Sequence, residues 1–273
     1  MRRSKTLARL RAGQPVRMAA VGHFLPAAAK HAAHFEFDCL WWDLEHRTMS
    51  DREVQAFLAF CHLFDIDCMV RSPTLEKIKL YRYFEDGATG VMIPHVNTVE
   101  RAQEVVDAVK FPPIGDRGLD GAGLDSDFYI QGGPEFTDQA NAETFICVQI
   151  ETPQAVENVE QIAAVKGIDA LFVGPGDLSL RIRKHNLKLT LAEATDRVAA
   201  AAVKHGKAWG IPVGSAEQLR EMTAKGARFC NYGGDFGAVM AMLEKHSKEM
   251  TEIFGNSPLP GGPQLPKVRS ADL

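Results

Sequence analysis

A single (β/α)8 barrel is the fold class this sequence predicts, and three observations carry the prediction. Short apolar runs of strand length alternate with amphipathic stretches along nearly the whole chain, in about eight strand–helix units. One barrel of this kind takes roughly 250 residues, close to the 273 present. The competing doubly wound sheet calls for a Gly-x-Gly-x-x-Gly turn after an early strand, and none lies there.

The elements follow in order. Strand-like runs occupy Val16–Val21, Cys39–Asp43, Asp67–Arg71, Gly90–Pro94, Phe145–Glu151, Ala170–Val173, Ile211–Gly214 and Arg228–Tyr232. Their lengths and their Val, Ile and Phe content suit parallel strands buried on both faces. After the second run, Ser50-Asp51-Arg52-Glu53 is a capping box leading into Val54, Phe57, Leu58 and Cys61 at helical spacing. Val99, Ala102, Val106 and Val109 make the stripe of the helix after the fourth run. After the fifth, Thr152 is a cap and Pro153 takes the first helical position, where its missing N–H is harmless. Ser215 caps the helix after the seventh, with Glu217 favourable in its first turn. One barrel domain is therefore expected over residues 1–256, with a long Gly-, Pro- and Asp-rich insertion at 110–143 and a Pro/Gly-rich tail at 257–273. Such long loops are commonly lids or interface elements.

Composition narrows the function classes. Lys and Arg number 31 against 35 Asp and Glu, too even for a polycationic nucleic-acid binder. No apolar run approaches the roughly 20 residues of a membrane span, and the basic N-terminus lacks the apolar stretch of a signal peptide. The five scattered cysteines show no Cys-x-x-Cys spacing, so reduced core thiols are expected and a cysteine zinc site is not. A soluble protein of the cytoplasm is expected.

In a barrel the chemistry sits at the C-terminal ends of the strands. Those ends carry Asp43-Leu44-Glu45-His46, Arg71, Pro94-His95, Gln149 with Glu151, and Gly174-Pro175-Gly176-Asp177. Charged groups closing apolar strands are costly to bury without a task or a partner. Alternation along the fifth strand puts Phe145, Cys147, Gln149 and Glu151 on one face and Ile146, Val148 and Ile150 on the other. The aliphatic face belongs against helices, so Gln149 and Glu151 point into the mouth. Glu151 and Asp177, with no Lys facing them, suit a hard cation such as Mg2+ or Mn2+; two carboxylates capping helix N-termini are the alternative. Arg71 suits a substrate carboxylate or an enolate oxygen, or else a structural ion pair with Glu151 or Asp43. His46, three residues beyond Asp43, has the spacing of an acid–base dyad in which the carboxylate orients the imidazole, or is structural. His23 and His95 stand at strand ends as weaker candidates to line the mouth.

Residues from about Lys5 to Phe254 resemble the HpcH/HpaI aldolase family, metal-dependent pyruvate aldolases related to citrate lyase β-subunits. The motifs that carry the resemblance are Asp43-Leu44-Glu45-His46, Val70-Arg71 and Gly90-Val91-Met92-Ile93-Pro94-His95-Val96-Asn97-Thr98. Pro112-Pro113-Ile114-Gly115-Asp116-Arg117-Gly118, Gln149-Ile150-Glu151-Thr152 and Phe172-Val173-Gly174-Pro175-Gly176-Asp177-Leu178-Ser179 complete it. The resemblance implies a barrel of the phosphoenolpyruvate/pyruvate type. It further implies a divalent ion (Mg2+, Mn2+ or Co2+) on Glu151 and Asp177, with Gln149 beside the bound 2-oxo acid. Arg71 would steady the enolate and His46 with Asp43 would act as the base, while N–H groups at Gly176 and Asp177 are suited to the substrate carboxylate.

The implied reaction is cleavage of a 4-hydroxy-2-oxo acid to pyruvate and an aldehyde, or its reverse, through a metal-stabilised enolate. Another pyruvate-enolate lyase or synthase, resembling oxaloacetate decarboxylase or citryl/malyl-CoA lyase, is the alternative. Homo-oligomers (hexamers, or trimers of dimers) that exchange the last helix are also implied. The sequence departs from the family's habit at Gly22-His23-Phe24, at Arg47-Thr48, in an acidic loop (Asp120, Asp125, Asp127) and at Asn231-Tyr232-Gly233-Gly234-Asp235. These departures border the aldehyde half of the substrate rather than the pyruvate half.

Overall fold

Strands that alternate two apolar faces need a layer on each side, and a closed ring with helices outside meets that need. The computed structural model describes residues 2–133 and 135–255. Its strands are β1 (Met18–Val21), β2 (Cys39–Asp43), β3 (Asp67–Arg71), β4 (Gly90–Ile93), β5 (Phe145–Ile150), β6 (Ala170–Val173), β7 (Ala208–Gly210), β8 (Pro212–Val213) and β9 (Asn231–Gly234). They form one sheet in the order β7-β6-β5-β4-β3-β2-β1-β9-β8, with every pair parallel.

β7 and β8 are one stave interrupted at Ile211. The seventh strand therefore starts earlier than the apolar run Ile211–Gly214 suggested, and Pro212, which has no N–H, marks the break. The ring closes here: Phe229 N donates to Trp209 O (3.1 Å) and Asn231 N to Ile211 O (3.3 Å). A Cβ on Gly210 would stand 1.8 Å from Phe229 O, so this approach admits only glycine.

Two cores result. Inside the ring, Met18, Cys39, Trp41, Met69, Met92, Phe145, Cys147, Phe172 and Phe229 fill the lumen, and Leu7 packs with them. Leu7 belongs to α1 (Lys5–Arg11), whose cap Ser4 also donates to the buried Asp67 carboxylate at 2.7 Å. Outside, Val70, Val91, Ile146, Val148, Ile150 and Val173 meet the helices. Those helices are α2 (Pro26–His34), α3 (Asp51–Leu63), α4 (Lys77–Glu85), α5 (Val99–Val109), α6 (Phe136–Glu143), α7 (Pro153–Glu157), α8 (Val159–Ala164), α9 (Pro175–Lys184), α10 (Leu191–Lys204) and α11 (Ala216–Ala224). The capping box at Ser50 and the caps at Thr152 and Ser215 all form. The helix begun at Pro153 breaks at Asn158 into α7 and α8. All five cysteines are free and buried.

The 110–143 insertion has structure of its own, a 3-10 turn at Leu124–Ser126 and then α6. Its anchor is Arg117, which donates to Asp125 at 2.7 Å with both side chains all but inaccessible, at 1% and 0%. The guanidinium also lies 4.4 Å from the centre of the Phe111 ring. Asp125 is thus not part of an acidic surface, as the loop's composition suggested.

The chain divides into two units, Met1–Asp235 and Phe236–Leu273. The described part of the second is the body of α12 (Asp235–Phe254), which has no buried side chain. Val239, Leu243 and Met250 fall within 40° of one another at 100° per residue and are exposed. The tail expected from residue 257 lies outside the described residues. Among the described residues, no helix is long and apolar enough to cross a membrane.

Candidate active site

The parallel register sets which side chains meet at the C-terminal ends of the strands. Asp43 closes β2 opposite Arg71 on β3. Arg71 binds both carboxylate oxygens, Nε to Oδ1 at 2.9 Å and Nη2 to Oδ2 at 2.6 Å, the bidentate geometry that makes Arg–carboxylate pairs strong. Burial pushes the Asp43 carboxyl up, but the hydrogen bonds and charge of Arg71 outweigh it and hold the group below its ordinary range. Asp43 Oδ1 also accepts from the backbone N–H of Glu45 (3.0 Å) and of His46 (3.3 Å). The expected Asp43–His46 dyad does not form. Of His46 the carboxylate meets only the backbone N–H, while its side-chain partner is Arg71. The His46 ring instead places Nε2 3.6 Å from Glu45 Oε2.

Glu45 was not among the expected site residues, yet it is central. Oε2 lies 3.2 Å from Arg71 Nη1, and Oε1 lies 3.6 Å from His95 Nε2. His95 spans from Glu45 to Glu151: its Nδ1 lies 3.1 Å from Glu151 Oε1, and its backbone N–H donates to the same oxygen at 2.8 Å. His95 does this from a left-handed backbone (φ 55°), a strained conformation for a residue with a Cβ. In sequence, Glu45 was visible within the Asp-x-Glu-His group and His95 at the end of β4. Only the fold shows that they touch.

Glu151 follows β5 and is 2% exposed. Phe145 and Cys147 line the lumen while Ile146, Val148 and Ile150 face the helices, as the alternation required. Burial pushes the Glu151 carboxyl above its ordinary range; His95 pulls it down, and the negative charges of Glu45 and Asp177 push it further up. A Cβ on Gly174 would fall 2.6 Å from Glu151 Cβ and 2.8 Å from Gln149 Nε2, so glycine lets the end of β6 close on both. Asp177, in the first turn of α9, is held at Oδ1 by Arg181 (2.6 Å). The first helical bond of α9 is Leu178 N to Gly174 O (3.1 Å), so the N–H groups of Gly176 and Asp177 precede the ladder and point out of the helix end.

The donor set fits a hard divalent cation. Gln149 Oε1 is buried without a hydrogen-bond partner, and the charges of Glu45 and Asp177 both raise the proton affinity of Glu151, an effect that a bound cation would relieve. Among the described residues no three His, Cys, Asp or Glu side chains converge into a ready metal cage. A site of two carboxylates, completed by substrate oxygens and water, is the arrangement Mg2+ favours.

Family relationship follows from comparison with known proteins. A profile of the HpcH/HpaI aldolase/citrate lyase family matches residues 21–241. The chain belongs to the HpcH/HpaI aldolase/citrate lyase family. It is 33% identical over 227 residues to the 2-dehydro-3,6-dideoxy-6-sulfogluconate aldolase of Pseudomonas putida, covering 82% of this chain and 86% of that one. With the hydroxypyruvate/pyruvate aldolase of Deinococcus radiodurans it shares 32% identity over 212 residues, 77% of this chain and 76% of the relative. The crystal structure of an HpcH/HpaI aldolase from Desulfitobacterium hafniense superimposes with a TM-score of 0.81 at 28% identity, covering 93% of this chain and 97% of that one. Membership in the HpcH/HpaI family makes the protein an enzyme of the aldolase/lyase class, one that makes or breaks carbon–carbon bonds.

Proposed function

We propose that the protein is a divalent-metal-dependent aldolase cleaving a 4-hydroxy-2-oxo acid to pyruvate and an aldehyde, or joining the two. The observation that carries this reading is the buried Glu151 carboxylate, set among Glu45, Asp177 and the partnerless Gln149 oxygen at the barrel mouth. Glu151 and Asp177 would hold the ion (Mg2+, Mn2+ or Co2+), which supplies Lewis-acid polarisation of the 2-oxo group. Gln149 and the N–H groups of Gly176 and Asp177 orient the 2-oxo carboxylate. In cleavage, the proton of the C4 hydroxyl leaves to His46, the C3–C4 bond breaks, and its electron pair moves onto the 2-oxo oxygen. Arg71, locked by Asp43, answers the negative charge that develops there. Addition of a proton at C3 then completes pyruvate.

The test is release of pyruvate from a panel of 4-hydroxy-2-oxo acids, with oxaloacetate included, in Mn2+ and in EDTA. Loss of activity in EDTA and a fall of at least about 100-fold in Glu151→Ala are expected. Activity indifferent to both overturns the metal reading, and turnover of oxaloacetate alone favours the decarboxylating lyase. The exposed apolar stripe of α12 supports a further reading, that the helix is a contact between copies of a homo-oligomer. Light scattering should give several chain masses for the native protein and a smaller assembly for Leu243→Lys.

A further inference from the structure

Two Arg–Asp pairs stand at the barrel mouth, and they are built differently. Arg71 takes both oxygens of Asp43, and the two side chains are only 10% and 15% exposed. Arg181 takes Oδ1 of Asp177 at 2.6 Å, and these side chains are 30% and 40% exposed. The first pair is a buried fork, held firmly by its geometry. The second is an i,i+4 contact along α9, of the half-exposed kind that contributes little and exchanges readily.

The Arg181 charge has a second neighbour. The register Ile150↔Val173 puts Glu151 level with Gly174, at the start of α9. Arg181 Nη1, the nitrogen that binds Asp177, lies 3.5 Å from the Glu151 backbone oxygen. One guanidinium thus reaches both residues that hold the ion on the aldolase reading. A neutral donor, such as the His95 backbone N–H on Glu151 Oε1, orients a carboxylate without opposing a cation. Arg181 orients Asp177 too, but a guanidinium keeps its charge and repels a dication that comes to the same carboxylate.

We infer that Arg181 is a built-in competitor of the metal ion: its guanidinium and the cation contend for Asp177, so Arg181 sets the free-ion concentration at which the site fills. The inference rests on the metal-dependent reading above. An ion that binds Asp177 either displaces Arg181 from Oδ1 or accepts its charge close by, and each weakens binding.

The experiment titrates Mn2+ alone, without substrate, into the wild type, Arg181→Gln, Arg181→Lys and Asp177→Ala, with heat as the readout. Gln keeps an amide donor and loses the charge, whereas Lys keeps the charge. Arg181→Gln should bind Mn2+ about tenfold more tightly than the wild type, and Arg181→Lys should stay within about threefold of it. Arg181→Gln binding no more tightly than the wild type overturns the competition, and so does Arg181→Lys tightening as much as Arg181→Gln. No Mn2+ uptake by either the wild type or Arg181→Gln, or uptake that Asp177→Ala leaves unchanged, overturns the metal reading and this inference with it.

Discussion

At the scale of single residues, the site is a chain of charge compensation running from Asp43 through Arg71, Glu45 and His95 to Glu151. Removing a link from such a chain exposes the next one. His95→Ala removes the Nδ1 contact to Glu151 Oε1 while the backbone N–H contact persists. Mn2+ affinity measured by calorimetry should therefore fall by about 10–100-fold, the usual consequence of losing a partner that orients a ligand. Asp43 makes one pH-dependent contribution. Its folded-state pKa lies below the unfolded value because Arg71 outweighs burial. The stability it adds is fully present above the unfolded value, near 4, and is lost as pH falls through the folded one. Urea denaturation should show wild type more stable than Asp43→Asn at pH 7, with the gap narrowing steadily below pH 4.

Close approach between elements decides whether these residues meet. Gly174 lets the end of β6 lie against Glu151 and Gln149, and Gly210 lets β7 lie against the backbone at Phe229. Gly174→Ala should displace Glu151 and lower turnover at least tenfold with modest loss of Tm, since only the mouth must shift. Gly210→Ala strikes backbone inside the ring and should appear as an insoluble or strongly destabilised protein in thermal melts. The insertion is held by the inaccessible Arg117–Asp125 pair. Asp125→Ala leaves a buried guanidinium without its carboxylate and should cost about 3–5 kcal/mol in denaturant titration. The elements were largely legible in the sequence, because capping boxes at Ser50 and period-two alternation along β5 are local signals. The split stave β7–β8 and the break at Asn158 were not, because both answer to packing against distant strands and helices rather than to the residues' own pattern.

For the whole molecule, the amino-acid sequence by itself determined the number and order of the strand–helix units, and hence a parallel barrel. It also determined which polar residues close its strands. These follow from hydrophobic period and chain order, which need no knowledge of neighbours. The tertiary structure alone decided how those strand-end residues pair. The spacing Asp43-x-x-His46 looked like a dyad, but β3 lies against β2 in a register that delivers Arg71 to Asp43. Closure of the ring through β9 and β8 likewise brought Asp235 to His23 across more than two hundred residues of chain. A carboxylate binds whichever cation or N–H the fold presents at hydrogen-bonding distance, and that distance is set by strand register and ring closure, not by separation along the chain.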